Sequence, residues 1–245
     1  MPNWVLSNIN IKGSGPDLQK FLDRFREPDG DIKFKFNKII PMPKGLITNE
    51  GPYSETGAIY IWLTEHPGEL PPAGLLNAEC RNESFAARCE ESKAEFESAD
   101  KATQQEMIEG GRRGLDNCIK YGAISWYDWC MNNWGVKSDV NDKAYVQGPL
   151  NPNAGEDSVV LRFLTAWSFP APIFVELSKL YPKLTFESKY ADQDYGFNCA
   201  EFKAKNGEVE FNDRDGDRVF ACNVWGMESK PCKVNKNMEK TETAD

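Results

Sequence analysis

The stretch VVLRFLTAWSFPAPIFVELSKLYPKLTFESKY, residues 159–190, decides the fold. Its first part alternates apolar and polar positions, with Val159, Leu161 and Phe163 on one side, which is typical of a half-buried strand. Its last part alternates in the same way through Leu184 and Phe186. The two ends of the stretch therefore predict two β-strands.

The middle of the same stretch predicts a helix. Ser168, followed by Pro170 and Pro172, marks its start, because proline is tolerated in the first turn of a helix. The apolar residues beyond these prolines recur at the spacing of one helical face: Ile173, Phe174, Leu177, Leu180 and Tyr181. The whole stretch is a predicted strand–helix–strand unit.

A second unit of this kind is predicted near the N-terminus. Residues 4–11 alternate as a strand, and the apolar residues within 18–25 follow helical spacing. Residues 32–40 are predicted to be another strand, which stops at Pro41 because proline cannot continue a sheet ladder.

The C-terminal part adds antiparallel strands. Asn206-Gly207 is a signal for a tight hairpin turn between residues 200–205 and 208–211, and residues 219–225 are predicted to form a last strand. Two strand–helix–strand units with antiparallel pairing predict an α+β fold, a ferredoxin-like sandwich with an antiparallel sheet and an inserted helical arm.

The predicted domains follow from these elements. The N-terminal unit spans residues 1–147, the C-terminal ferredoxin-like half spans 156–227, and 228–245 is a polar tail predicted to be disordered. The N-terminal unit contains an inserted loop and helical arm over 44–114. It also contains a Trp-rich helix over 111–135, in which Trp126, Trp129 and Trp134 share one face with other apolar residues.

Composition is that of an ordinary globular protein, with 40% hydrophobic and 27% charged residues. No apolar run approaches the roughly 20 residues that span a bilayer, and the N-terminus lacks the layout of a signal peptide. The seven cysteines lack the spacing of a zinc site, so we interpret them as reduced and mostly structural. These features predict a cytoplasmic protein of a bacterial host that needs no cofactor.

The formal net charge of −9 disfavours an electrostatic nucleic-acid binder. It is explained either by solubility or by acidic faces that engage a basic protein surface. Residues 75–109 hold nine acidic and four basic side chains, and residues 187–217 hold the same numbers. The first candidate partner-binding surface, the acidic arm, comprises Glu83, Glu90, Glu91, Glu95, Glu97, Glu106 and Glu109. The second, the acidic C-terminal region, comprises Asp192, Asp194, Asp213, Asp215 and Asp217.

Catalytic motifs are scarce. His66 is the only histidine, so mechanisms that need two are excluded. Asp192 and Asp194 are two residues apart at a predicted strand end, which keeps a metal-dependent hydrolase open as an alternative. Asp213, Asp215 and Asp217 resemble a calcium loop but lack its distal glutamate, and a solvated turn explains them better.

Single-stranded nucleic-acid binding is another alternative, because a ferredoxin-like sheet can stack bases on exposed aromatic side chains. Four aromatic residues lie in predicted strands, namely Phe163, Phe186, Phe202 and Trp225. No run of aromatics with interleaved lysine or arginine accompanies them, and direct binding of nucleic acid is therefore not expected.

Several segments resemble a known family. They are the opening MPNW, FNKIIPMP at 36–43, WCMNNWG at 129–135, and FLTAWSFPAPIFVELSKLYPKLTFESKYADQDYGFNCAEF at 163–202. They are similar to plasmid- and phage-encoded proteins with a YubB-type ferredoxin-like domain, over about 1–45 and 115–226. The resemblance implies a ferredoxin-like fold and a mobile-element origin, with no activity to transfer.

A mobile-element origin directs the functional hypothesis. Small acidic proteins of phages and plasmids often neutralise a host defence by occupying a basic surface. We therefore expect a non-enzymatic accessory protein that inhibits or remodels a host complex, CRISPR-Cas or restriction, by protein–protein contact. Such an anti-defence protein would need neither a metal nor a catalytic residue.

Overall fold

The computed structural model of the chain describes residues 3–46, 54–69, 71–72, 74–75, 85–140, 145–147 and 158–227. Its strands are β1 (Trp4–Lys12), β2 (Tyr145–Gln147), β3 (Ser158–Ala166), β4 (Thr185–Asp192), β5 (Ala200–Lys205) and β6 (Glu208–Asp213). Its α-helices are α1 (Gly15–Phe25), α2 (Ser54–Glu65), α3 (Phe85–Ser98), α4 (Lys101–Tyr121), α5 (Trp126–Asn133), α6 (Ala171–Leu180) and α7 (Arg218–Val224). Short 3-10 helices span Phe36–Lys38 and Lys44–Leu46.

The six strands form one antiparallel sheet in the order β2-β3-β1-β4-β5-β6. The N-terminal strand β1 lies between β3 and β4, with Val5 opposite Thr165 on one side and Asp192 on the other. The succession β1-α1-β2-β3-α6-β4 is the strand and helix order of a ferredoxin-like domain. The predicted fold class is therefore confirmed.

The chain divides into two compact units. The first, which we call the sheet unit, comprises Met1–Phe34, Val140–Phe169 and Phe174–Asp245. The second, the helical unit, comprises Lys35–Asp139 and Pro170–Ile173. Along the chain, the helical unit is thus inserted between α1 and β2.

Phenylalanine rings fill the core of the sheet unit. The central ring is that of Phe174, whose centroid lies 6.1 Å from those of Phe163 and Phe186 and 5.4 Å from that of Phe169. Odd-numbered residues of β1 face this core because side chains alternate across a strand. The strand alternation predicted within residues 159–190 accordingly places the rings of Phe163 and Phe186 on one buried face of the sheet.

The predicted last strand over residues 219–225 is wrong, since this segment forms helix α7. Asp217 caps the helix, because its carboxylate accepts a hydrogen bond from the backbone N–H of Phe220 at 2.8 Å. Phe220, Ala221 and Val224 then lie on one face and pack against Leu6 on the second face of the sheet. A short apolar run has no period of its own that separates a strand from a helix.

The predicted strand over residues 32–40 is also wrong. Its centre is a 3-10 turn, in which the Asp139 carboxylate accepts hydrogen bonds from the backbone N–H groups of Phe36 at 2.7 Å and Asn37 at 3.2 Å. These donors are therefore satisfied by a side chain rather than by a neighbouring strand. The second strand of the N-terminal strand–helix–strand unit is instead β2, which lies more than a hundred residues further along the chain.

Glycines bring two helices of the helical unit into close contact. A Cβ atom added at Gly111 of α4 would overlap the backbone of Gly57 and Ala58 in α2, and one at Gly57 would overlap the carbonyl of Met107. Ala58, Ile59 and Leu115 form the adjoining apolar cluster. The loop predicted in the first part of the insertion over 44–114 is corrected by the structure, because helix α2 lies in that part.

The single Trp-rich helix predicted over residues 111–135 is two helices. Gly122 adopts a left-handed conformation (φ 75°) that ends α4, and the Ser125 side chain accepts a hydrogen bond from the Asp128 N–H to begin α5. Trp129 and Trp134 are buried as predicted, whereas Trp126 is 37% exposed. Both caps lie within the apolar pattern, which continues across the break.

Among the cysteines in the described ranges, Cys89, Cys118, Cys130 and Cys199 are free, whereas Cys222 is disulfide-bonded. The prediction of reduced cysteines is therefore wrong at Cys222. Within the described ranges, no helix combines the length and apolar character needed to cross a membrane. The predicted disordered tail, residues 228–245, and the turn-rich stretch at 148–155 lie outside the described residues.

Candidate interaction surfaces

Helix α3 carries most of the predicted acidic arm and is fixed against α2. The ring of Phe96 stacks on that of Tyr60 with centroids 3.6 Å apart. The Thr56 hydroxyl donates a hydrogen bond to the Glu95 carboxylate at 2.8 Å. The arm is therefore a packed helix, and Glu95 serves partly to hold it in place.

The outward side of α3 presents three exposed glutamates, Glu90, Glu91 and Glu97. Arg88 donates to Glu91 at 2.7 Å, and Lys93 lies 3.8 Å from Glu97. Glu90 has no partner among the residues that the structure describes. The carboxylates of both ion pairs are exposed to solvent. Such ion pairs are weak, so Glu91 and Glu97 remain available to a partner.

The rest of the arm lies on α4 or outside the described residues. Glu106 is exposed, and Glu109 accepts a hydrogen bond from the Gln105 amide at 2.9 Å. Glu83 falls outside the described part of the chain. The structure therefore places six of the seven predicted arm residues on two consecutive helices of one unit.

The first two carboxylates of the acidic C-terminal region stabilise a turn after β4. Asp192 is 5% exposed and accepts a hydrogen bond from the backbone N–H of Asp194 at 2.8 Å. The Asp194 carboxylate in turn accepts from the Asn3 amide at 2.8 Å. Asp192 thus forms an Asx turn, and each of the two carboxylates already accepts a hydrogen bond.

The other three carboxylates hold the segment between β6 and α7. Asp213 accepts from the backbone N–H of Asp215 at 3.0 Å, and Asp215 accepts from that of Cys199 at 2.8 Å. Asp217 caps α7 and also accepts from the Arg214 guanidinium at 2.7 Å. These groups therefore have structural roles in the turn, as expected from their spacing around Gly216.

This segment surrounds a buried thiol. The Cys199 Sγ donates to the backbone carbonyl of Arg214 at 3.0 Å. Burial, followed by the negative charges of Asp215, Asp217 and Asp213, raises the pKa of Cys199 to about 11. Burial and two of these carboxylates likewise raise the pKa of Tyr190 to about 12. A nucleophilic role would require the opposite shift for the thiol.

We expect Cys199 of the native protein to resist alkylation at pH 8. A pKa of about 11 leaves about 0.1% thiolate there, against about 10% at a pKa of about 9, so labelling should slow about a hundredfold. Quantitative mass spectrometry after iodoacetamide treatment, with the urea-unfolded protein as reference, measures this ratio.

The raised pKa of Cys199 also determines how this thiol contributes to stability as the pH changes. The folded state keeps the Cys199 proton where the unfolded state loses it, so this contribution to stability is complete below pH 9 and is lost between about pH 9 and 11. Native labelling of Cys199 as fast as that of the partly exposed Cys89 would contradict both expectations.

The lone histidine is packed on an aromatic ring. The His66 imidazole stacks on the Trp62 indole with centroids 4.0 Å apart and an interplanar angle of 10°. Among the described residues, no group of three or more histidine, cysteine or acidic side chains is placed to hold a metal ion. Absence of catalysis itself stays a prediction.

The aromatic residues considered for base stacking are not on an open surface. Phe163, Phe186 and Phe202 are buried on the helix-covered face of the sheet. The Trp225 indole N–H donates to the backbone carbonyls of Ala191 and Asp192, both at 3.1 Å. The reason for considering nucleic-acid binding is thereby weakened.

Sequence reasoning missed the open side of the sheet next to α7. A groove of about 910 Å³ lies there, lined by Asn8, Asn10, Lys189, Glu201 and Asn223, among others. Its charges are paired across strands, with Lys12 2.7 Å from Glu187 and Lys189 3.6 Å from Glu201. The signal in the sequence was the polar half of the alternation in β1.

The fold and these surfaces define an α+β protein with a ferredoxin-like domain. Residues 134–235 match the model of a family described as the ferredoxin-like domain in Api92-like protein. The crystal structure of the protein Api92 from Yersinia pseudotuberculosis is similar over 87% of this chain and 99% of that chain, with 11% identity and a TM-score of 0.38. The search of curated proteins returned no match.

Proposed function

We propose that this protein acts by binding a basic surface of another protein, and that the outward side of α3 is the contact. The observation that carries the proposal is the difference between the two acidic surfaces. Carboxylates of the C-terminal region are engaged in turns and a helix cap, whereas Glu90, Glu91 and Glu97 lie outward on a packed helix. Glu90, Glu91 and Glu97 can therefore contact a partner without giving up a backbone hydrogen bond of the fold.

The partner class follows from this charge. A surface that attracts carboxylates is rich in lysine and arginine, as is a surface that binds nucleic acid. In its fuller form the proposal is a mobile-element accessory protein that inhibits or remodels a host CRISPR-Cas or restriction complex. The resemblance to plasmid- and phage-encoded proteins and the net charge of −9 support that form.

The alternatives receive less support. A metal-dependent hydrolase would use Asp192 and Asp194, but their side chains are tied to a turn and to Asn3. A single-stranded nucleic-acid binder would need exposed aromatics on the sheet, and three of the four considered are buried. Gel shifts with short RNA and DNA oligonucleotides at low salt distinguish that alternative from protein binding.

The test begins with a tagged pull-down from bacteria that carry active restriction and CRISPR-Cas systems. The purified partner is then titrated with the wild type and with the triple variant Glu90→Lys, Glu91→Lys, Glu97→Lys. We expect roughly tenfold weaker binding, because each exposed ion pair contributes about 0.2–1 kcal/mol and reversal replaces attraction with repulsion. Wild-type affinity should also fall with added salt.

A matched control separates the surface from net charge. The variant Asp23→Lys, Asp29→Lys, Glu176→Lys changes the net charge equally but lies on the sheet unit, and it should bind the partner nearly as well as the wild type. Equal weakening by the two variants, or no weakening by the first, would overturn the assignment to α3.

A further inference from the structure

The outer edge of β6 is a second surface with the properties of a binding site. β6 is the last strand of the sheet, and no described residue pairs with its outer side. All six of its residues are exposed, including Val209 at 44% and Phe211 at 60%. An exposed strand edge with apolar side chains is a template for another strand.

The backbone groups that point outward follow from the hairpin. Asn206 (φ 51°) and Gly207 (φ 82°) form the two-residue turn, so the flanking residues Lys205 and Glu208 form the first hydrogen-bonded pair. Along an antiparallel ladder, hydrogen-bonded pairs alternate with pairs whose N–H and C=O groups point away from the partner strand. Val209 and Phe211 therefore direct their N–H and C=O groups away from β5, toward solvent.

Charges alternate in sign across the open face of the sheet and end on carboxylates at this edge. One row runs from Glu187 on β4 to Lys203 on β5 and Glu210 on β6, with the last two 2.8 Å apart. In the next row Lys205 is opposite Glu208. A strand added beside β6 would place side chains opposite Glu208 and Glu210. Basic side chains are favoured there, because opposite charges stabilise cross-strand pairs.

We propose that the β6 edge binds an extended segment of a partner protein as an added β-strand. In this segment, basic residues alternate with apolar ones. The basic residues lie beside Glu208 and Glu210, and the apolar residues cover Val209 and Phe211. Main-chain hydrogen bonds supply affinity in this mode and alternate side chains supply specificity.

A second copy of this chain fits the edge less well. Two-fold pairing centred on Val209 places Glu208 opposite Glu210 of the other copy, and pairing centred on Glu210 places that residue opposite itself. Like charges directly opposite each other are destabilising. Pairing centred on Phe211 places Glu210 opposite Asn212, and the sedimentation experiment described below tests for that register. The proposal concerns the sheet unit alone and does not rest on the role assigned to α3.

The test uses the full chain and a capped octapeptide of alternating lysine and valine. We expect the peptide to bind and to slow hydrogen exchange at the amides of Val209 and Phe211, because those N–H groups become paired. A peptide of the same sequence with N-methyl groups on every second residue loses the donors on one edge. It should bind at least tenfold more weakly, as measured by fluorescence anisotropy.

Two variants complete the design. Glu208→Lys with Glu210→Lys reverses the edge charge, and Val209→Pro removes an outward N–H that β5 does not use, a substitution that edge strands tolerate. Each should weaken peptide binding roughly tenfold. The double variant Asp23→Lys, Asp29→Lys, with the same change in net charge elsewhere on the sheet unit, should leave it unchanged.

Several outcomes would overturn the proposal. They are equal binding of the two peptides, equal weakening by the Asp23 and Asp29 control, and a dimer in sedimentation experiments that Val209→Pro abolishes. If Val209→Pro fails to fold, the charge-reversal variant and the methylated peptide decide the question. Failure of these arms leaves the proposed partner contact at α3 to its own test.

Discussion

Replacing Gly111 with alanine is expected to destabilise the helical unit by roughly 2–3 kcal/mol, the cost of overpacking a tight contact. The added methyl group would overlap the backbone of Gly57 and Ala58 in α2. Side chains can rotate away from a clash, but a helix backbone must move as a whole. The change therefore separates α2 from α4 and opens the apolar cluster beside them.

The expected sign is what makes this prediction informative. In a helix interior that is free of close contacts, replacing glycine with alanine stabilises by roughly 1 kcal/mol, because alanine has less backbone entropy to lose. For Gly111 we expect Tm, followed by circular dichroism at 222 nm, to fall by roughly 5–10 °C. Helix propensity alone would instead predict a rise in Tm.

The neighbouring glycine provides the control. A Cβ at Gly110 would lie 3.3 Å from the Ser54 hydroxyl oxygen, which belongs to a side chain able to rotate. Gly110→Ala should therefore change stability by less than about 1 kcal/mol. If Gly111→Ala were as stable as Gly110→Ala, the close approach of α2 and α4 would be disproved.

These glycines illustrate where sequence reasoning stopped in the helical unit. Gly110 and Gly111 directly follow the acidic stretch at 75–109, and glycine has a low helix propensity. The role of Gly111 depends on Gly57, more than fifty residues away, which no local pattern reveals. The predicted strand at residues 32–40 was wrong for the same reason. The Asp139 carboxylate, which accepts the hydrogen bonds that a strand partner would otherwise accept, is distant in the sequence.

The sheet unit was more predictable because its signals are local. The alternation around Phe163 and Phe186 fixed two strands, and Asn206-Gly207 fixed a hairpin whose register the structure confirms. Helix α7 was missed because its seven residues, five of them apolar, fit either period. The cap at Asp217 distinguishes the two, and it was visible as an aspartate three residues before Phe220.

For the candidate surfaces, the sequence identified residue types but not the use of each carboxylate. Asp213, Asp215 and Asp217 contribute the same charge per residue as Glu90 and Glu97. Their oxygens, however, accept backbone hydrogen bonds in a turn. Whether a carboxylate is engaged in this way depends on the fold around it, so the sequence did not distinguish structural carboxylates from available ones, and it left the β6 edge unnoticed.

The second large effect is expected in the core of the sheet unit. Phe174→Ala should cost roughly 3–5 kcal/mol, since truncation of a buried phenylalanine loses both transfer free energy and packing. The Phe174 side chain is 0% exposed, and four other phenylalanine rings surround it: Phe34, Phe163, Phe169 and Phe186. Stacked neighbours leave little freedom for the cavity to collapse.

Phe197→Ala is the matched control, because it removes the same atoms from a side chain that is 60% exposed. It should change the free energy of unfolding by less than about 0.5 kcal/mol, as surface substitutions usually do. Urea unfolding followed by intrinsic fluorescence measures both values, with an unchanged slope m showing that the same surface is exposed. A similar loss in the two variants would mean that the rings around Phe174 do not form the core of this unit, and the face assigned to residues 159–190 would be wrong.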